Sequence, residues 1–389
     1  MKRFLALFMV VIMVVSISAC GGNQPAATTQ APTTAAPTQA PTTAAPAPQP
    51  SNGNIKIDVF WYTFSDTYLT SVRNAMEAEL AGAPNINFTM HDCEEDQAKQ
   101  SQMIETAITQ GTDLLVVNIV TTGSEEAAQA IVNKAKDEGL PIIFFNREVS
   151  DSVVNSYDNC TFVGTDADEA GYMQGKAAAD FLLAGDNASK YDLDKDGEIK
   201  YIMFRGEHGN AEAFGRTKYA VQEANRLLEG SSIKLVPSPA NETSTQYEDD
   251  GISNYFLYGN WSASNAADLM QTALSAYNLK DGQIELILAN NDDQAIGAIE
   301  AMNEEGFNTG ASGAGYIPVF GVDATTVAKE ALAAGKMTGT VLQDGPAMAA
   351  CIVSLAKNIA SGENLLANTG SYNMDAGVAK IRIAYAIVN

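Results

Sequence analysis

Little in this chain is basic. Against 47 Asp and Glu stand 23 Lys and Arg, a formal net charge of -24. A body this acidic repels phosphate backbones and anionic headgroups, which argues against nucleic acid and anionic lipid as partners. Histidine is scarcer: His91 and His208 are the two, and neither has an obvious nucleophile partner. Beyond Cys20 only Cys93, Cys160 and Cys351 remain, an odd number without metal spacing. At least one is unpaired, and their apolar neighbours predict buried free thiols. There is no Gly-rich loop of the dinucleotide or P-loop kind, which argues against a nucleotide ligand. A comfortable transmembrane run is missing too, since Phe4 to Ser18 is too short and too quickly ended.

What is present begins with export. Met1-Lys2-Arg3 and the apolar stretch after it form the n- and h-regions of a signal, ending in Ile17-Ser18-Ala19-Cys20-Gly21. That ending is similar to the lipobox of bacterial lipoproteins, so residues 1–20 are expected to be a signal peptide with Cys20 taking the lipid. Residues 21–53 are Thr, Ala, Pro and Gln with little else, a composition that builds no core and reads as a flexible tether. The expected product is a body anchored by lipid outside the cytoplasm.

The body, about 335 residues, is too large for one ordinary core and suggests two domains. Strand-like and helix-like segments alternate along it, which implies an α/β fold with parallel sheets. Strands are expected at Ile55–Trp61, Ile86–Met90, Leu114–Ile119, Ile142–Phe145 and Thr161–Val163, with helices at Asp66–Ala81, Glu95–Gln110 and Ser124–Glu138 between them. A second series follows: helix Asp168–Leu183, strand Ile199–Phe204, helix Ala211–Leu228, strand Ile233–Pro237, helix Ala263–Tyr277, strand Ile284–Ala289, helix Asp293–Glu305, strand Pro318–Val322, helix Thr325–Ala334 and strand Thr338–Leu342. Two doubly wound, Rossmann-like units in succession predict two similar lobes.

Polar residues recur at the carboxyl ends of these strands, where open parallel sheets bind ligands. They are Ser65, Asp66 and Tyr68; Asn118; Asn146; then Glu207, Asn210, Glu212 and Arg216; Asn290 and Asn291; Asp323; and Gln343. Any one alone is better explained as a loop cap; the recurrence is the signal. Amides, carboxylates and an Arg suit a polyhydroxyl ligand, whose hydroxyls both donate and accept. A flat ring such as Tyr68 or Trp261 can cover the C–H face of a pyranose. Within the second series, between helix Asp168–Leu183 and strand Ile199–Phe204, lies Asp192-Leu193-Asp194-Lys195-Asp196-Gly197-Glu198-Ile199-Lys200. Carboxylates at positions 1, 3 and 5 with glycine at 6 match the first half of an EF-hand calcium loop. Position 12, however, is Met203, and a strand follows instead of a helix, so the last carboxylate has to come from elsewhere.

Asp66-Thr67-Tyr68, Phe144-Phe145-Asn146-Arg147-Glu148, Ser156-Tyr157-Asp158, Val163-Gly164-Thr165-Asp166, Asp192 to Gly197, Ala289-Asn290-Asn291-Asp292, Phe320-Gly321-Val322-Asp323 and Gly339-Thr340-Val341-Leu342 resemble the galactose/glucose-binding periplasmic proteins. These are type I solute-binding proteins of sugar ABC transporters, and the likeness runs over about residues 54 to 388 with one longer insertion. It implies that Asp66 and Asn146 bond the sugar from the first lobe and that Tyr68 stacks where Phe is usual. Trp261 is the second stacking ring. Arg216, Asn291 and Asp323 match ligand positions unchanged, and Gln343 replaces an Asn. Asn210 stands where the family has His and Glu212 where it has Asp, which leaves the choice of sugar open. For calcium the resemblance implies Asp192, Asp194 and Asp196 through side chains, Glu198 through its carbonyl, and Glu285 as the distant carboxylate. Lys200 occupies a position that is a Gln ligand in the family, and an ammonium cannot coordinate a cation; with water in that position, a structural calcium that stiffens the second lobe is still expected.

Three functions are compared: a binding module, a calcium-dependent glycoside-acting enzyme, and a sensor for a chemoreceptor or histidine kinase. An enzyme of that kind needs two carboxylates flanking one bond, whereas Glu207, Glu212, Asp66 and Asp323 stand among amides as ligand-pairing groups. The expectation is a lipid-anchored, non-enzymatic monomer that captures a monosaccharide such as D-galactose or D-glucose and presents it to an ABC transporter permease. The lobes are expected at 54–164 with 344–375 and at 165–343 with 376–389, joined by three hinge crossings near Thr165, Gln343 and Asp375. The insertion 238–260, with Tyr247, Tyr255, Phe256 and Tyr258, reads as a surface excursion, or as a rim extension toward a larger glycoside.

Overall fold

Strand β1 (Ile55–Trp61) is β-branched or aromatic except at Lys56 and Asp58, and nearly all of it is buried. Such a strand belongs inside a parallel sheet with helices on both faces. In the computed structural model, which describes residues 53–243, 255–310 and 315–389, that is its place. The signal, Cys20, nearly all of the tether and Tyr247 lie outside the described residues.

The first series is α1 (Thr67–Ala81), β2 (Ile86–Asp92), α2 (Gln97–Thr109), β3 (Leu114–Val117), α3 (Glu125–Asp137), β4 (Ile142–Phe145), α4 (Asp151–Asn155) and β5 (Cys160–Gly164). The second is α5 (Ala167–Leu183), α6 (Asn187–Tyr191), β6 (Glu198–Arg205), α7 (Ala211–Leu228), β7 (Lys234–Pro237), β8 (Glu242–Thr243), β9 (Tyr255–Tyr258), α8 (Ala263–Ala276), β10 (Leu286–Ala289), α9 (Asp292–Glu304), β11 (Val319–Asp323), α10 (Thr326–Ala333) and β12 (Gly339–Gln343). The chain then adds α11 (Gly345–Ala360), β13 (Asn373–Met374), β14 (Lys380–Arg382) and β15 (Tyr385–Val388).

Two sheets result. One runs β13-β14-β5-β4-β3-β1-β2; the other runs β15-β12-β11-β10-β6-β9-β8, with β7 also beside β6. Alternate residues of each strand feed opposite cores. Val59 and Trp61 pack with Met76, Met348 and Ile352, while Phe60 packs with Ile104 and Ile131 on the other face. In the second sheet Ile202 and Phe204 join Met270 and Ile299, and Tyr201 and Met203 join Leu182 and Leu228. Each lobe is therefore doubly wound. Within each, the order of the central strands reverses at one place: β1 lies between β2 and β3, and β6 lies between β7 or β9 and β10. Ligands bind at such switch points, outside the carboxyl ends of the strands.

Three sequence expectations need correction. The third crossing is not near Asp375. β14 pairs in parallel with β5 in the first sheet, Ile383 N–H donates to the Gly164 carbonyl at 2.7 Å, and only β15 joins the second sheet. Residues 376–382 thus belong to the first lobe, held there because the Lys380 ammonium pairs with Glu148 and Asp151, each at 2.6 Å. The insertion is not wholly an excursion. Phe256 and Leu257 are buried, and Leu257 and Tyr258 pair with Phe204 and Arg205 on the edge of β6 that β7 leaves at Pro237. Proline, lacking an N–H, ends the strand, and the chain returns to the same edge later. Finally, α11 was not expected. It docks Met348, Ile352 and Leu355 into the core behind β1.

All three body cysteines are free and buried, and burial pushes their thiols up, to about 11 for Cys93 and about 12 for Cys160 and Cys351. Among the described residues no helix is long and apolar enough to cross a membrane.

Candidate functional site

The turns leaving the two switch points meet between the lobes. Asp66 ends the turn after β1 and caps α1, its Oδ1 accepting from Leu69 N–H at 2.7 Å while Oδ2 accepts from the Tyr62 hydroxyl at 2.8 Å. Asn210 caps α7 in the same way through Ala213, and Asn291 caps α9 through Gln294. Capping is real for each residue, yet it also aims three helix N-termini at one place, where partial positive charge favours ligand oxygens.

That place is a small cavity between the lobes. From the first lobe it is lined by Tyr62, Asp66, Tyr68, Asn146 and Arg147, and from the second by Asn210, Glu212, Arg216, Trp261, Asn291 and Asp323. Nine of the ten expected binding residues are brought together: Asp66, Tyr68, Asn146, Asn210, Glu212, Arg216, Trp261, Asn291 and Asp323. Gln343 stands apart. Its Oε1 accepts from Arg216 Nη2 at 3.0 Å and its Nε2 donates to Thr165 Oγ1 at 3.2 Å, so both ends of the amide are taken up behind Arg216. It positions the guanidinium instead of lining the wall.

Several polar atoms on this wall are buried and make no hydrogen bond within the protein: Tyr68 OH, both carboxylate oxygens of Glu212, Arg216 Nε, Arg147 Nε and Asp323 Oδ1. A buried polar atom without a partner is costly, so a ligand that donates and accepts here is strongly favoured. Burial pushes Glu212 up to about 7, against the pull of Arg216, and raises Asp323 well above the carboxylate range. Arg216 is anchored by the Asn290 carbonyl at 2.8 Å and the Tyr385 hydroxyl at 3.1 Å, and Asp323 lies 3.5 Å from its Nη1.

The backbone is bent to serve the same wall. Asn146, Trp261 and Asp323 have φ of 59°, 64° and 117°, the left-handed region in which a Trp is strained. Gly206 makes room for the indole, since a Cβ there would lie 2.3 Å from Trp261 Cζ2. The Trp261 ring has the Arg216 guanidinium 5.7 Å from its centroid.

Tyr62 and Arg147 were overlooked as site residues. The Arg147 guanidinium lies 4.1 Å from the Tyr62 ring centroid, donates to the Val120 carbonyl at 2.9 Å, and pairs across the cleft with Glu207. Tyr62 follows β1 directly and Arg147 stands two residues past β4, at the strand ends that pointed to the other residues. Tyr62 was concealed because it prolongs the apolar run of β1. Asn118 sits behind them, accepting from Tyr62 N–H at 3.2 Å and donating to Asn146 Oδ1 at 3.3 Å. His91 has a structural place, its Nε2 2.7 Å from Asp58 and its ring stacked on Phe60.

The acidic loop lies apart from this cavity. Gly197, with φ 83°, makes the sharp turn, and Asp192 accepts from the N–H groups of Asp196 and Gly197 at 3.1 Å each. Glu285 does reach the loop. It sits fully buried just before β10, an interior strand, and accepts from Leu193 N–H at 2.6 Å and Lys200 N–H at 2.8 Å. Oxygens of Asp192, Asp194 and Glu285 lie within 4.8 Å of one another. The carboxylate of Asp196 is held elsewhere, by the Lys200 ammonium 2.7 Å away, and the same ammonium is 2.9 Å from Asp194. The Glu198 side chain pairs with Lys234 at 3.0 Å. A calcium ion takes 6 to 8 oxygens. With a fixed cation already on two of its carboxylates, this donor set does not fit one.

Residues 57–364 match the model of the periplasmic binding protein domain. Over 314 residues the chain is 30% identical to the D-galactose/methyl-galactoside binding periplasmic protein of Haemophilus influenzae, covering 81% of this chain and 84% of that one. It is 27% identical to a putative rhizopine-binding protein of Rhizobium meliloti, over 77% of this chain and 82% of the relative. Among solved structures it is similar to an ABC transporter solute binding protein of Bacillus halodurans with bound myo-inositol, at 26% identity and a TM-score of 0.64, covering 87% and 96% of the two chains. The two doubly wound lobes, the cavity at their switch points and these likenesses agree: the chain belongs to the periplasmic binding protein family.

Proposed function

We propose that the protein captures a monosaccharide, D-galactose or D-glucose, between its lobes and presents the closed form to the permease of a sugar ABC transporter. The observation that carries this reading is the set of buried polar atoms on Tyr68, Glu212, Arg216 and Asp323 that make no hydrogen bond within the protein, around one small cavity that also holds the Trp261 and Tyr68 rings. Each hydroxyl of a pyranose donates and accepts, and its C–H faces suit flat rings. The H. influenzae relative, named for galactose and methyl-galactoside, supports the same ligand class. Asn210 and Glu212 select among sugars in this reading, and lipid on Cys20 holds the body at the outer face of the membrane. No step of bond making is assigned to the site.

Calorimetric titration of the protein, freed of co-purified ligand, with D-glucose, D-galactose, D-xylose, D-ribose, myo-inositol and a disaccharide tests it. Micromolar or tighter binding of a hexose is expected, weakened roughly 30-fold or more in Trp261→Ala, about 2 kcal/mol for an aromatic anchor. Tighter binding of myo-inositol or of a pentose than of any hexose would overturn the choice of sugar. An unchanged affinity in Trp261→Ala would remove the stacking role.

A further inference from the structure

We propose that Lys200 is the resident cation of the acidic loop: its ammonium stands in the cationic position shared by Asp194 and Asp196, and the second lobe folds without a metal. The loop has the turn of a cation-binding segment, with carboxylates at alternate positions and Gly197 in the left-handed conformation at the bend. Its charge is concentrated, because Asp192, Asp194, Asp196 and Glu285 converge on one end of β6 and β10. Among the described residues Lys200 is the positive group paired with Asp194 and Asp196. Lys200 Nζ lies 2.9 Å from Asp194 Oδ2 and 2.7 Å from Asp196 Oδ2, on a side chain that is only 12% exposed. Position 9 of the loop, which would supply an oxygen to a metal, thus supplies the charge itself.

The remaining carboxylates are engaged in a way that closes the loop without an ion. Both oxygens of Asp192 accept backbone N–H groups of the turn, and both oxygens of Glu285 accept backbone N–H groups from the loop's two ends. Glu285 therefore ties Leu193 to Lys200 across the loop, and Lys200 ties positions 3 and 5 together. A divalent ion among Asp192, Asp194 and Glu285 would share the Asp194 carboxylate with the ammonium, at a separation where like charges repel strongly in a half-buried site. The pairing of Asp194 with Lys200 keeps the local charge balance that a neutral residue at each position would give.

The experiment compares melting of the full protein in excess EDTA and in millimolar calcium chloride, for the parent and for Lys200→Gln and Lys200→Arg. In the parent the two midpoints are expected to agree within about 1 °C. Lys200→Gln is expected to lose several degrees in EDTA and to regain at least about 3 °C in calcium, through preferential binding of the ion to the folded state. Lys200→Arg, which keeps the charge, should stay near the parent and ignore calcium. If Lys200→Gln fails to fold without metal, it is prepared in calcium and then stripped, and unfolding on chelation counts as the expected result. A parent that gains several degrees in calcium overturns the proposal, as does a Lys200→Gln protein as stable as the parent in EDTA. So does a Lys200→Gln protein that is weakened but blind to calcium, because the position would then not be a cation position.

Discussion

Glu212 shows how one residue couples folding, pH and ligand. Its carboxylate is buried with both oxygens unpartnered, and burial pushes its pKa from 4.5 to about 7 against the attraction of Arg216. A carboxyl raised on folding holds its proton more tightly in the native state. Its contribution is therefore most favourable below about pH 4.5 and is lost as pH climbs through about 7. A sugar hydroxyl that donates to the carboxylate favours the ionised form, so binding should expel a proton near pH 6 to 7. Affinity is expected to rise over that interval, with a binding heat that depends on the ionisation heat of the buffer. In Glu212→Gln both effects should vanish. Proton uptake on binding, measured in two buffers, would contradict the assignment.

At the scale of elements, α5 and α7 are pressed together by glycine. A Cβ on Gly171 would lie 2.4 Å from the Gly215 carbonyl oxygen, and one on Gly175 would lie 2.3 Å from that of Ala220. Backbone cannot swing aside as a side chain can, so an added methyl has to separate the helices. Gly175→Ala is expected to cost about 1 to 3 kcal/mol in chemical denaturation and to leave sugar affinity within a factor of two or so. Gly171→Ala should cost as much stability and lose affinity too, because Gly215 adjoins Arg216. Equal affinities for the two variants would show that α7 moves without carrying the guanidinium.

For the whole molecule, the lobes touch at the mouth of the cleft. A Cβ on Gly123 of the first lobe would lie 2.9 Å from the Gly209 carbonyl oxygen of the second, and Arg147 pairs with Glu207 across the same gap. This is a closed arrangement of a hinged pair, and the three crossings at Thr165, Gln343 and Ile383 run side by side beneath it. Glu207→Ala removes the bond to Arg147 that joins the two lobes across the cleft. Sugar should bind about 10-fold more weakly, mainly through faster release, while melting without sugar stays unchanged. X-ray scattering should show the parent contracting on sugar addition. A variant that lost unliganded stability instead would place Glu207 in the fold and not in closure.

Much of this was legible in one dimension because it depends on local pattern. Runs buried on both faces announced the strands, and a polar residue just past a strand announced the wall of the site, since in a parallel sheet all such ends lie on one rim. The loop at Asp192 was visible in its spacing alone. Other features were not legible because distant segments define them. Helix α11 is mostly apolar along its length, and β9 lies within the stretch read as an insertion. Gln343 looked like a ligand residue because a strand end cannot reveal which neighbour takes up its amide. The third crossing depends on Lys380 finding Glu148, far back in the chain. Local pattern along the chain is enough for the alternation of elements, the doubly wound class and the chemistry of the rim. Which rim residues share one cavity, and that Lys200 faces Asp194 and Asp196, are meetings of side chains whose partners the packing of two sheets selects.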